Sequence, residues 1–344
     1  MTDFDSIALR RLHSHLLADN ARDAPRDVVA HFGAVQAQDY FGMLWALGAR
    51  SRHAAESDVE RAIIERRIVR CWPMRGTLHV VAAEDVRWML ELLAPRVLAR
   101  RARIERYYEL DGKMLRRGRA FVERALRGGR TLTRAELYAA LEKGGVATGA
   151  GRGLHVVFAL AHERVICFGP RQGKQPTFVL FDEWVPTSRP KTRDEALAEL
   201  ARRYFRSHAP AGVADFVWWS GLTVKDAKDA IALSGASLDG EGAAATPSVH
   251  LLPPFDEYTV AYKDRTAILD PAFAKRLNAG GGMLNAVVVV NGRVAGNWKR
   301  SIVGDSVAVT VSPFHPLTKR EARAVEREAA RYAAFLGLSY LRTR

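Results

Sequence analysis

Apolar residues recur at helical spacing through Phe41, Leu44, Trp45 and Leu47, which predicts an amphipathic helix packed against a core. Ahead of it stand two uncharged amides, Gln36 and Gln38, separated by Ala37. Positions i and i+2 of a regular helix point about 200° apart, so two amides serving one site need extended or bent backbone there. Polar residues at a helix entrance are also ordinary, and the pattern alone leaves both readings open.

The same periodicities lay out the rest of the chain. Short helices are expected over 6–17 and 27–31, a basic helix over 58–67, and then a hairpin of strands 68–72 and 77–81 about Pro73-Met74-Arg75-Gly76. Helices followed by a hairpin are the outline of a winged helix. Residues 83–127 read as strongly helical and basic. Thr133-Arg134-Ala135-Glu136 is a capping box opening a helix to Lys143, and a second helix covers 152–163. Strands at 165–168 and 177–181 flank a polar loop, repeating the outline. After a linker at 185–190, a helix to His208, the stretch 211–220, a Gly221-Leu222 turn and a helix from Thr223 make a helix-turn-helix signature.

From Val249 the chain reads as strands at 249–252, 257–262, 284–290, 293–298 and 306–311, closed by an amphipathic helix over 319–336. Asn291-Gly292 is a type I′ hairpin signal. The expected fold class is mainly α with β. Three tandem winged-helix units cover 1–112, 113–186 and 187–247, and a small C-terminal β-barrel or curled sheet with a closing helix covers 248–344.

Charge adds a partner class. The chain has 344 residues, with 52 basic against 38 acidic, a surplus of 14 and a pI of about 10.1. Such a surplus is a footprint for nucleic acid or another anionic surface. Arginine outnumbers lysine roughly four to one, a bias that suits phosphate and also follows from a GC-rich genome. Candidate phosphate contacts are Arg75 at the first hairpin turn, Arg100, Arg101 and Arg103 in the basic helical region, and Arg171 and Lys174 in the second hairpin loop. Each reads equally as solvated surface.

Other classes fall away. No run of 18 apolar residues is present, so no membrane span is expected, and the first residues lack the apolar core of a secretory signal, which points to the cytosol. Cys71 and Cys167 are expected as separate buried thiols. With no zinc-spaced His/Cys cluster, no GxGxxG and no GxxxxGK[ST], no metal and no nucleotide cofactor are expected.

Four segments in order carry a family resemblance: Gln36-Ala37-Gln38 with Leu44-Trp45-Ala46-Leu47, Arg75-Gly76-Thr77-Leu78-His79, Leu252-Pro253-Pro254-Phe255-Asp256-Glu257-Tyr258, and Gly292 to Arg300. Together they resemble the AlkZ/YcaQ-type winged-helix DNA glycosylases of bacteria, across essentially the whole chain. The resemblance implies a C-shaped body, excision of N7-alkylated purines and unhooking of interstrand crosslinks. It further implies damaged or crosslinked double-stranded DNA as partner, with no cofactor, and Gln36 and Gln38 as the catalytic pair in the double-glutamine form of the AlkZ-like branch. A chain of this length can work as a monomer.

The chemistry suits amides. A purine alkylated at N7 carries positive charge and leaves without an acid, so the enzyme must stabilise an oxocarbenium-like sugar and align a water. Gln38 is expected to align the water and Gln36 to contact the nucleotide, though the sequence permits the reverse. Asp39 is an alternative, as general base or as a countercharge to the sugar, or simply a first-turn acid favoured by the helix dipole. Asp256 is a second carboxylate, catalytic or orienting backbone. His79, Tyr258 and Trp298 are structural residues or members of the site. The competing function is a non-catalytic winged-helix transcriptional regulator. Against it stand three units in one chain and the lack of an obvious effector domain.

Overall fold

The computed structural model describes residues 3–18, 21–240, 246 and 248–342. The chain forms two compact units, one of residues 1–60 with 197–344 and one of residues 61–196. The expected segments 1–112 and 187–247 each cross a boundary of this division, while 113–186 and 248–344 each lie within one unit.

In the first unit, helices Asp3–Ser14 and Pro25–Phe32 lead to a short strand, Ala34–Gln36, and then to helix Tyr40–Gly48. Pro25 suits a first helical turn, where its missing N–H has no partner to lose. Helix Arg193–His208, helix Val213–Ser220 and helix Val224–Ser234 follow. Gly221 caps the second of these at φ +72°, and Thr223 caps the start of the third by accepting the Asp226 N–H. This is the expected helix-turn-helix.

The C-terminal strands form a five-stranded sheet in the order Ser339–Leu341, Ser306–Pro313, Arg293–Val303, Ala286–Val290, Val249–Leu252. Neighbours are antiparallel except for the parallel pair of Ser306–Pro313 with Ser339–Leu341. The sheet has two edge strands among the described residues, so of the two expected forms, small barrel or curled sheet, it takes the curled sheet. Helix Lys319–Phe335 packs against Val249–Leu252, Ser306–Pro313 and Ser339–Leu341 of this sheet. Asn291 and Gly292 both take left-handed φ, +51° and +82°, as a type I′ turn requires. A Cβ at Gly292 would lie 2.7 Å from the Ala8 carbonyl carbon, so the turn also needs glycine for space.

The expected strand over 257–262 is instead a short helix, Glu257–Val260. Phe255 turns the chain at φ +59°, and the Asp256 carboxylate accepts the Tyr258 N–H at 2.9 Å. That cap overrides the strand preference of Tyr258, Thr259 and Val260.

In the second unit, strands Ile68–Met74 and Thr77–Ala82 pair as expected, and helices Val86–Ala99, Ala102–Tyr107 and Gly112–Leu126 follow. Thr133 and Glu136 make the reciprocal capping box of helix Arg134–Lys143. Helix Arg152–His162 and the hairpin Ile166–Phe168 with Thr177–Leu180 complete the unit. Its core is built on Trp72, Phe168 and Phe178 with Leu and Val side chains from the helices. Cys71 and Cys167 are buried free thiols, and burial pushes the Cys71 thiol up to about 12. No helix among the described residues is long and apolar enough to cross a membrane.

Candidate active site around the paired glutamines

Gln36 ends a strand, and Asp39 keeps extended backbone (φ −90°, ψ 111°) before the helix begins at Tyr40. This segment therefore has the non-helical backbone that two amides in one site demand. Gln36 is buried, Ala37 is fully buried and Gln38 is exposed. The Gln36 side chain folds over the bend, its Oε1 accepting the Gln38 N–H at 2.6 Å. An inner amide thus braces the backbone that presents an outer one.

The inner amide is itself held by a residue the sequence reading passed over. The Gln36 N–H donates to Oε1 of Glu257 at 2.7 Å, and Trp219 Nε1–H donates to Oε2 at 3.0 Å. Nε2 of the buried His208 lies 3.5 Å from the same Oε2. Glu257 is only 1% exposed, and a carboxylate at such depth persists because donors surround it. Glu257→Gln keeps one acceptor oxygen but turns an N–H₂ toward one of two N–H donors. Base release is expected to fall roughly tenfold, the scale of one unsatisfied buried donor. Glu257→Gln combined with Trp219→Phe removes the opposed donor and should recover most of that loss in a single-turnover assay.

Asp256, next to Glu257, does not reach the glutamines. Its carboxylate is paired bidentately with Arg50, Nη1 to Oδ2 at 2.8 Å and Nη2 to Oδ1 at 2.7 Å, and both side chains are buried. The same carboxylate orients local backbone through the Tyr258 N–H, at the start of a helix and not of the expected strand. Tyr258 is fully buried and donates its hydroxyl to the Gly292 carbonyl at 2.6 Å. The run Asp256-Glu257-Tyr258 therefore ties Arg50, the glutamine strand and the 291–292 turn to one short helix.

A hollow of about 310 Å³ opens beside the glutamine stretch, lined by Asp39, Phe41, Asn285, Trp298, Arg300 and Tyr332 among others. Trp298 is anchored in the sheet and also faces the hollow. Its Nε1–H donates to the Leu252 carbonyl at 2.9 Å while its ring forms part of the wall. Asp39 is half-buried, and its carboxylate has no hydrogen-bond or ion-pair partner among the described residues.

The cationic candidates lie in the second unit. Arg100, Arg103 and Lys174 are exposed. Arg171 is half-buried and donates to the Gly173 carbonyl at 2.6 Å, bracing its own loop. Arg101 is a correction. It is 5% exposed, its guanidinium lies 4.0 Å over the Phe158 ring, and burial lowers its pKa. Its aliphatic stem and planar head fill core space, so it does not face DNA phosphate. His79 is fully buried, with Nδ1–H on the Thr77 carbonyl at 3.0 Å and Nε2 3.3 Å from Nη2 of Arg75. His79 thus lies beside Arg75, which takes the left-handed turn position (φ +55°).

A family model described as "DNA glycosylase AlkZ-like" matches residues 29–335, which include every element of the site just described. The chain belongs to the AlkZ-like DNA glycosylase family. It is 27% identical to a Streptomyces sahachiroi protein named "Interstrand DNA cross-link repair glycosylase", over 97% of this chain and 96% of that protein. The solved structure of Streptomyces sahachiroi DNA glycosylase AlkZ superposes with a TM-score of 0.79 at 24% identity, covering 100% of this chain and 99% of that one. Family membership and fold thus agree with the resemblance carried by the glutamine and Pro-Pro-Phe-Asp-Glu-Tyr segments.

Proposed function

We propose that this protein is a monofunctional DNA glycosylase that hydrolyses the N-glycosidic bond of N7-alkylated purines in double-stranded DNA and unhooks interstrand crosslinks. One observation carries the reading: a buried amide, Gln36, braces the bend that presents an exposed amide, Gln38. With its Oε1 on the Gln38 N–H, Gln36 has its N–H₂ to offer the sugar or phosphate. Gln38 has a carbonyl oxygen to align water behind the departing base. Water is the nucleophile, the partner is damaged or crosslinked DNA, and no cofactor is required. The protein works as a monomer in the cytoplasm, on the nucleoid. Two helix-and-hairpin repeats and a helix-turn-helix support three winged-helix units, and the exposed cations Arg100, Arg103 and Lys174, with Arg75 and Arg171, would meet phosphate and make binding steeply salt-dependent.

The test is incubation with duplex carrying 7-methylguanine, or a nitrogen-mustard crosslink, followed by alkaline cleavage at the abasic site. Gln38→Ala and Gln36→Ala are expected to lose about a hundredfold in single-turnover rate, the scale for one preorganised polar group at a reacting centre. Wild-type rates in both variants would discard the assignment. A transcriptional regulator would instead retain one sequence in a gel shift and release no base.

A further inference from the structure

We infer that Asp39 reads the lesion, its carboxylate accepting two N–H groups from the Watson–Crick edge of an N7-alkylated guanine seated in the hollow beside it. This deepens the proposed function and rests on it. The first support is the carboxylate itself. Asp39 occupies the N-cap position of helix Tyr40–Gly48 but does not cap it, and it has no polar partner among the described residues. A half-buried acid left open at the mouth of a cavity has both oxygens available as acceptors.

The second support is that the local chain keeps that carboxylate in place by leaving out a side chain. At Gly42, one turn into the helix, an added Cβ would lie 2.7 Å from Asp39 Oδ2 and 3.0 Å from Cγ. Glycine in a helix interior costs stability relative to alanine, and here it clears space for Asp39. The third support is the wall. The hollow, about 310 Å³, lies at the small end of ligand cavities and suits a single flat base. Phe41, Trp298 and Tyr332 supply aromatic surface, which attracts a cationic ring. The Arg300 guanidinium, 5.9 Å from both the Phe41 and Tyr332 ring centres and donating to the Tyr332 hydroxyl, shares that wall with Lys299, so the Asp39 carboxylate is the group that offsets their charge for a cationic base.

The chemistry selects guanine. Its Watson–Crick edge offers two adjacent donors, N1–H and N2–H, which match the two acceptor oxygens of a carboxylate. Adenine presents one donor beside one acceptor and leaves an oxygen opposed to a lone pair. Alkylation at N7 puts positive charge on the ring and strengthens both donors. To present that edge the base must leave the stack. Because the base sheds its charge as the C–N bond breaks, Asp39 holds the ground state more tightly than the transition state. It therefore sets affinity and selectivity while the glutamines set rate. A general base, or a countercharge to the sugar, would do the opposite.

Single-turnover kinetics on a 7-methylguanine duplex separate these roles. Asp39→Asn is expected to raise the half-saturating concentration roughly ten- to hundredfold, with the limiting rate within about threefold of wild type. In randomly methylated DNA, the same variant should shift released base from 7-methylguanine toward 3-methyladenine, whose edge an asparagine amide matches. Gly42→Ala, which displaces the carboxylate without replacing it and favours the helix, should move half-saturation in the same direction. A fall in limiting rate at unchanged half-saturation would overturn the inference, as would unchanged half-saturation in both variants. If the wild-type protein releases no base, or the glutamine variants match it, the failure lies in the parent reading instead.

Discussion

Removing the Asp256 carboxylate, as in Asp256→Ala, is expected to lower folding stability by about 3–5 kcal/mol, the usual cost of orphaning one member of a buried ion pair. Arg50 would keep its bonds to the carbonyls of His15 and Ala46, each at 2.9 Å, but lose both charge-assisted partners at a site 1% exposed. Helix Glu257–Val260 would lose its cap in the same step. The double variant Arg50→Met with Asp256→Leu buries no unpaired charge and should be less costly than Asp256→Ala, despite two changes. Urea unfolding checks both. Excision by Asp256→Ala should track its folded fraction. A variant of wild-type stability without activity would return Asp256 to the catalytic list.

The difference between Asp256 and Glu257 shows where sequence reading reaches its limit here. Helices, hairpins and caps were legible because they are local: Thr133 with Glu136, Gly221 with Thr223, and Asn291-Gly292 all act within a few residues. The glutamine pair was legible only as a condition on backbone: two amides at i and i+2 can serve one site only where the chain is not helical, and it is extended there. Glu257 was not legible, because its acceptor role joins it to Gln36, 221 positions away, and to Trp219. Arg50 gave no signal either, since nothing near Ala46-Leu47-Gly48-Ala49 marks an arginine that will be buried against Asp256. Arg101 failed for the converse reason. One arginine in a basic run looks like its neighbours, and only packing under Phe158 separates it from Arg100 and Arg103. Strand patterns left barrel and curled sheet open, because strand count does not say whether the two ends of a sheet will meet.

Acidification is expected to destabilise the fold over a window set by buried histidines. Burial lowers His31 and His250 to about 3 and His162 to about 4, from an ordinary value of 6.5. Each is held neutral. His31 donates Nε2–H to the Ser14 carbonyl while its buried Nδ1 has no partner among the described residues, and His162 donates Nδ1–H to the Phe158 carbonyl with Nε2 likewise unpartnered among them. The unfolded chain takes up these protons below pH 6.5, whereas the folded chain resists until about pH 3 to 4. Stability is therefore full above pH 6.5, falls as pH drops through 6.5, and levels only below the folded values. At pH 5 each group withholds about 2 kcal/mol on this linkage, or roughly 6 kcal/mol for the three. His15, buried between His208, Tyr258 and Tyr262, is also lowered and adds to the loss. Glu163 and Glu328, whose carboxyls burial raises, oppose it as they take up protons, so the observed loss should be somewhat smaller than the sum. Urea midpoints at pH 8 and pH 5 measure the difference. Equal midpoints would mean that the buried imidazoles gain protons in the folded state, and that the dry, neutral packing described around His15 and His31 is wrong.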